Sequence, residues 1–199
     1  MELWLARHGT TRANLEKCFQ GQRNTALSVQ GRWESIRLAR RLNSQPPGWF
    51  FSSDLKRAWE TASIISREIN IKARPMPLLR ECSWGTIEGL TRATVVARYT
   101  RLGLHQLPAG IPGAERKRRL MVRARNAFAT LLATVGLRGR VLLVSHGRFI
   151  NAFISTCLGL KARDPWPFSP APASCTVLEY RPEERLFKLR FFNDCHHLS

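Results

Sequence analysis

Carboxylates are scarce in this chain against its cations. Only 14 Asp and Glu stand against 32 Lys and Arg, which leaves a formal charge of +18 and a pI near 11.3. A field of that sign draws in anions, whether small phosphorylated molecules or nucleic acid, but arginines spread over solvated helix faces give the same total. Charge alone therefore selects no function. Cysteine is sparse as well: Cys18, Cys82, Cys157, Cys175 and Cys195 are scattered, odd in number and without a CxxC pair. That spacing fits neither a disulfide framework nor a zinc site, so reduced thiols, no metal and no other cofactor are expected. No apolar run is long enough to span a bilayer, and Met1 leads straight into a strand-like segment in place of a charged region and an apolar one. A soluble, cytoplasmic protein with no membrane partner follows as the expectation.

What the chain does have is one arrangement used twice. Leu3-Trp4-Leu5-Ala6 is an apolar run of strand length that ends in Arg7-His8-Gly9, and Val141-Leu142-Leu143-Val144 ends in Ser145-His146-Gly147-Arg148. In open α/β sheets ligands bind beyond the carboxyl ends of the strands, so a histidine there is expected to be exposed and held by the strand behind it. A lone histidine is more often structural. Two at matching strand ends point to chemistry.

The rest of the chain reads as helices and strands around that pair. Thr10 to Thr25 is polar and Gly-punctuated, an active-site loop. Ser28 is placed to cap a helix through Leu42, with Ile36, Ala39 and Leu42 as its apolar stripe and Trp33 on the same face. Trp49-Phe50-Phe51 is a short strand, Ser52-Ser53-Asp54 a turn and cap, and Leu55 to Ile69 a helix with Ala58, Ala62, Ile65 and Ile69 inward. Arg57 falls in its first turn, where a cation opposes the helix dipole unless an anion sits beside it. After an extended piece near Ala73 to Leu78 comes an irregular stretch, Leu79 to Gly89, then a helix and a loop that ends at Leu107 to Gly113. Such loops are often lids. Glu115 to Val135 returns to helical spacing, Asp164 to Pro172 is a Pro-rich connection, and Cys175 to Tyr180 with Leu186 to Phe192 alternates like a hairpin. These elements predict an α/β fold, a three-layer sandwich in which a mostly parallel central sheet with an antiparallel edge is flanked by helices. At 199 residues the chain suits a single domain, 1–199, with a lid insertion at about 90–119.

Arg7, His8, Asn14, Arg57, Glu81 and His146 all fall at strand ends or loops. Two arginines can hold a tetrahedral dianion, a histidine can attack phosphorus, and a carboxyl can protonate the departing oxygen. The histidine must be neutral to attack, and the nearby arginines favour that state.

With these residues the chain resembles the histidine phosphatase superfamily, the phosphoglycerate mutase-like fold, and within it the small bacterial phosphatases. The resemblance rests on Arg7-His8-Gly9 with Thr11 and Asn14, on Ser52 to Leu55 with Arg57-Ala58 and Thr61-Ala62, on Leu79-Arg80-Glu81 with Gly85 and Glu88-Gly89, and on Ser145-His146-Gly147. It implies that His8 is phosphorylated, that Glu81 gives and takes the proton, that His146 completes the catalytic set, and that Arg7, Asn14, Gln20, Gly21, Arg57 and Gly147 bind the substrate. Thr10 stands where the family commonly has Glu or Gln, and Pro112-Gly113-Ala114-Glu115-Arg116 stands for its Pro-Gly-Gly-Glu-Ser pattern. Arg148 is read as an exposed helix-start residue rather than a further anion ligand.

The chain is short and its insertion between Gly89 and Glu115 modest, so hydrolysis of a small phosphorylated metabolite is expected over mutase transfer. Sugar phosphates, phosphoglycerates and α-ribazole phosphate all stay open as substrates, as does monomer or homodimer. A nucleic-acid-binding protein on a phosphatase scaffold is the other reading of the charge, and the intact His8, Glu81 and His146 argue against it.

Overall fold

Two strands apolar on both faces demand cover on both sides. In the computed structural model, which describes residues 1–99 and 110–199, β1 (Glu2–Arg7) and β4 (Arg140–Ser145) form the parallel centre of the sheet. Beside β4 lie β2 (Trp49–Ser52) and then β3 (Arg74–Pro75), both parallel. Beside β1 lie β5 (Cys175–Arg181) and β6 (Leu186–Asp194), the antiparallel hairpin. The strand order is β3-β2-β4-β1-β5-β6. The expected mostly parallel sheet with an antiparallel edge is what the chain forms.

Successive side chains of a strand point to opposite faces, and the two cores follow that rule. Leu3, Leu5, Phe51, Val141, Leu143 and Leu178 join one cluster with α5 (Lys117–Val135) and α6 (Gly147–Cys157). Trp4, Ala6, Phe50, Leu142, Val144 and Val177 join the other, with α2 (Val29–Asn43) and α3 (Lys56–Ile69). The result is three layers. A one-turn α1 (Arg12–Leu15) and a short α4 (Arg92–Arg98) sit in the loops at the strand ends. The expected lid over about 90–119 lies partly outside the described residues. Of its flanks, Ile111 is buried in the larger core and Ala114 pairs with Trp84. Among the described residues no helix is long and apolar enough to cross a membrane.

The helix α2 begins as the sequence predicts, with the Ser28 hydroxyl accepting the Gly31 N–H at 3.0 Å. Ala39 and Leu42 face inward as predicted, but the rest of the stripe does not. Trp33 and Ile36 are 49% and 37% exposed, while Gly31, Glu34 and Ser35 are buried. The reason is the loop leaving β1, which lies directly on the first turn of α2. Both oxygens of the buried Glu34 carboxylate accept from Thr10, from its N–H at 2.7 Å and its hydroxyl at 2.9 Å, and the Ser28 hydroxyl donates to the Thr10 carbonyl at 2.9 Å. The stripe is turned toward those polar anchors. The cap of α3 also differs: Leu55 occupies the N-cap position without a side-chain bond, because Asp54 accepts from Arg80 at 2.7 Å.

The contact between loop and helix is backbone on backbone. A Cβ at Gly31 would fall inside contact distance of the Thr10 carbonyl oxygen, and one at Gly9 inside that of the Gly31 carbonyl. Ala in place of Gly inside a helix ordinarily stabilises by about 1 kcal/mol. Here Gly31→Ala must push the His8 loop away, so it should destabilise by roughly 1–3 kcal/mol, the usual cost of overpacking. Urea unfolding measures it; a midpoint equal to or above that of the parent chain would contradict the close approach.

Candidate active site

Register alone brings the two histidines together. Arg7 pairs with Ser145 across β1 and β4, and Ser52 pairs with Val144 across β2 and β4. The residues that follow, His8, His146 and Ser53, therefore emerge side by side at the carboxyl end of the sheet. Two further ladder bonds hold them, from His8 N–H to the Ser145 carbonyl and from Ser53 N–H to the Val144 carbonyl, both 2.9 Å. The imidazole centroids are 5.1 Å apart.

His8 is 2% exposed, so the expected exposed histidine is a buried one. Loops folded back from both sides cover it. Its Nδ1 lies 2.7 Å from the Gly9 carbonyl, which can only accept, so Nδ1 carries the proton and Nε2 keeps its lone pair. That lone pair accepts from Arg57 Nε at 3.2 Å. Burial first, then the charges of Arg57 and Arg7, push the His8 pKa well below its ordinary value. The ring is neutral in water near pH 7. His146 is shifted the same way by burial and then Arg57. Its Nε2 lies 2.8 Å from the Ser53 hydroxyl, and its Nδ1 is buried with no partner among the described residues.

Arg57, in the first turn of α3, is 1% exposed rather than solvent-facing. Its two terminal nitrogens donate to the carbonyls of Arg23 and Gly21 at 2.9 and 2.7 Å. Arg7 donates to the Pro170 carbonyl at 2.7 Å, its buried Nε has no partner among the described residues, and it lies over Gly147, where a Cβ would stand 3.4 Å from the guanidinium carbon. Neither arginine forms an ion pair with a described carboxylate. Burial lowers both pKa values, that of Arg57 to about 10, and both stay charged. Two cations with no direct ion pair among the described residues thus flank a neutral imidazole, with the Glu81 carboxylate the main opposite charge acting on both.

The Glu81 carboxylate closes the group. Its Oε1 accepts from the N–H groups of Cys82 and Phe149 at 2.9 and 3.1 Å, and its Oε2 from that of Arg148 at 3.1 Å. With Arg7, Gly147 and Arg148 it lines a cavity of about 340 Å³ whose far wall is Trp166, Phe168 and Pro170. The Pro-rich connection is therefore a wall of the site, a role the sequence reading missed; Trp and Phe interleaved with Pro just after α6 were the available signal. Asn151 on α6 and Ser53 were missed too.

The remaining predicted residues support this group from one side. Gln20 is buried, its Oε1 accepting from the Thr11 and Thr25 hydroxyls at 3.0 and 2.6 Å. Gly21 lends its carbonyl to Arg57. Asn14 closes a capping box with Thr11, its Oδ1 accepting the Thr11 N–H at 3.0 Å, and faces a second cavity of about 300 Å³ with Lys17, Trp84 and Arg92. Arg148 lines both cavities, its guanidinium 5.2 Å from the Trp84 ring and 5.8 Å from that of Trp166. It is half-buried between two indoles rather than exposed at a helix start.

A neutral histidine, two buried cations without a direct ion pair among the described residues and a held carboxyl thus stand together at the carboxyl end of a mostly parallel sheet. The model of the histidine phosphatase superfamily (branch 1) matches residues 3–194, and the chain belongs to that family. The structure of a mycobacterial glucosyl-3-phosphoglycerate phosphatase with VO3 is similar at 31% identity and a TM-score of 0.87, over 96% of this chain and 98% of that one. A mycobacterial hydrolase matches at 30% identity with the same TM-score, over 97% and 98%. Among curated sequences, the probable phosphoglycerate mutase GpmB of Proteus mirabilis is 32% identical over 166 residues, 81% of this chain and 77% of that protein.

The two buried histidines make stability depend on pH with a definite sign. Their folded pKa values lie below the unfolded one, so the unfolded chain binds more protons as pH falls through about 6.5. Stability is fully present above that pH and is lost below it, by up to about 1.4 kcal/mol per pH unit for each ring. Urea unfolding between pH 7.5 and 5 should show this slope, and His8→Asn should remove one ring's share of it. An unchanged slope in that variant would mean that His8 titrates normally.

Proposed function

We propose that the chain is a phosphomonoester hydrolase that works through a phosphohistidine at His8 Nε2, without a metal. The observation that carries this is the neutral Nε2 lone pair, aimed at Arg57 and flanked by two buried cations that form no direct ion pair among the described residues. A phosphate dianion offers Arg57 a stronger acceptor than imidazole. Once Arg57 turns to it, Nε2 is free to attack.

The cycle starts with Glu81 protonated: in the first step Nε2 bonds to phosphorus while the ester P–O bond breaks, and the leaving oxygen takes that proton, leaving the Glu81 carboxylate. Oε1 of Glu81 already accepts two N–H groups and Oε2 only one, so the proton travels on Oε2. The positive imidazole formed is stabilised through Nδ1–H on the Gly9 carbonyl. In the second step the Glu81 carboxylate takes a proton from water, the water oxygen bonds to phosphorus, and the P–N bond breaks. His8 and Glu81 return to their starting states.

Hydrolysis rather than transfer is supported by the solved structures similar at 30 and 31% identity, a mycobacterial hydrolase and a glucosyl-3-phosphoglycerate phosphatase, although a sequence relative at 32% identity is named a probable phosphoglycerate mutase. The substrate class we propose is a small phosphorylated metabolite, its phosphate among Arg7, Arg57, His8 and His146 and its alcohol part in the cavities that meet at Arg148. Phosphoglycerates, sugar phosphates and α-ribazole phosphate are the members to assay first.

Turnover of a phosphomonoester panel tests this. Inorganic phosphate should appear in step with alcohol, with no positional isomerisation of a phosphoglycerate, and His8→Ala should fold and lose on the order of 10⁶ in turnover. Isomerisation outrunning phosphate release would make the chain a mutase. Near-normal turnover by folded His8→Ala would remove the mechanism.

A further inference from the structure

Glu81 delivers a proton only if it stands at the right height against α6, because the three N–H groups on its carboxylate come from Cys82 and from the first turn of that helix. Beta strand β4 anchors the helix. The Leu78–Glu81 segment has no regular structure after Leu79 to hold it, and its carbonyls need partners. One side chain supplies most of them. Arg123, on α5, donates through one terminal nitrogen to the carbonyls of Leu78 and Arg80 at 2.9 and 2.6 Å, and through the other to the carbonyl of Glu81 at 3.3 Å.

The rest of the guanidinium is held as firmly. Nε and the second terminal nitrogen meet both Glu115 oxygens at 3.0 and 2.6 Å, so all five N–H groups have an acceptor. The backbone N–H of Glu115 in turn donates to Ser83 at 2.8 Å, on the far side of Glu81. The guanidinium carbon also lies 5.3 Å from the Phe149 ring, and Phe149 is one of the residues whose N–H holds the Glu81 carboxylate. Arg123 thus touches both parts whose relative position sets the proton donor.

From this geometry we propose that Arg123, oriented by Glu115, is the positioning residue for Glu81 in proton transfer. The inference rests on Glu81 being the proton donor. Arg123 does not reach the reacting atoms. It acts by fixing the carbonyl side of Glu81 against α6, and a fork with five donors does this where a lysine, with one point of contact, cannot.

The test is the leaving-group dependence of kcat/KM, which reports the phosphorylation step. An alkyl phosphate needs its oxygen protonated as it leaves; a nitrophenyl phosphate does not. A displacement of about 1 Å in a catalytic group costs up to about 10²-fold, so Arg123→Lys should lower kcat/KM for the alkyl ester by roughly 10–100-fold and leave that for the aryl ester within about twofold. The loss should fall on kcat rather than KM, and guanidinium added to Arg123→Ala should restore the alkyl ester selectively. If Arg123→Lys fails to fold, Glu115→Gln decides by the same criterion. Equal losses on both esters, or none, would overturn the proposal. Glu81→Gln run in parallel separates the two claims: equal losses there sink the proton-donor role and this inference with it, whereas a selective loss there beside an unselective Arg123→Lys removes the positioning role alone.

Discussion

The structure depends on buried positive charge that forms no direct ion pair among the described residues and is balanced only in part, by the Glu81 carboxylate across the site. Arg7 and Arg57 sit against two imidazoles at the strand ends, bonded to carbonyls and to His8 but to no carboxylate. Taking an ion out of water costs several kcal/mol even after the protein relaxes around it. Part of that cost is offset by charge–dipole bonds to carbonyls and part by the Glu81 carboxylate across the site. With burial, the same charges keep His8 unprotonated, which is the state the proposed attack by its Nε2 requires.

Holding such a site requires stiffness, and the sheet supplies it. The parallel register of β1 and β4 sets one histidine beside the other, and full cores on both faces keep the strands from shifting. The loops are then tied down one by one: Thr10 by Glu34, the Glu81 turn by Arg123, and the Pro-rich wall by Arg7 through the Pro170 carbonyl. Asn193 adds a bond to the same wall, its Oδ1 accepting the Ala171 N–H at 2.6 Å. Each tie is a charged or amide side chain meeting backbone, which fixes a loop without apolar packing.

Much of this was legible from residues alone because the sheet is buried on both faces. Continuous apolar runs announced β1 and β4, alternation announced the hairpin, and Ser28 and the inward alanines announced α2 and α3. Arg7, His8 and His146 stand where those runs stop, and the strand register brings them together. Side-chain environment was not legible. Trp33 and Ile36 matched a helical stripe, yet α2 turned its polar residues inward, because a buried carboxylate for Thr10 outweighed two exposed apolar side chains. His8 looked exposed because the sequence shows which strand end it occupies, not which loops fold over it. The Pro-rich wall and the indoles around Arg148 come together only through contacts distant in sequence, between α6, the turn near Trp84 and the segment after Leu160, which no local periodicity encodes.

The central claim is that the Gly9 carbonyl holds the proton on His8 Nδ1 and so assigns the chemistry to Nε2. Denaturing the enzyme in alkali during turnover preserves a phosphohistidine, and nuclear magnetic resonance of the isolated peptide tells its two isomers apart. The phosphoryl group should be found on His8 at Nε2. Finding it at Nδ1, or on His146, would contradict the assignment and the electrostatic argument built on it.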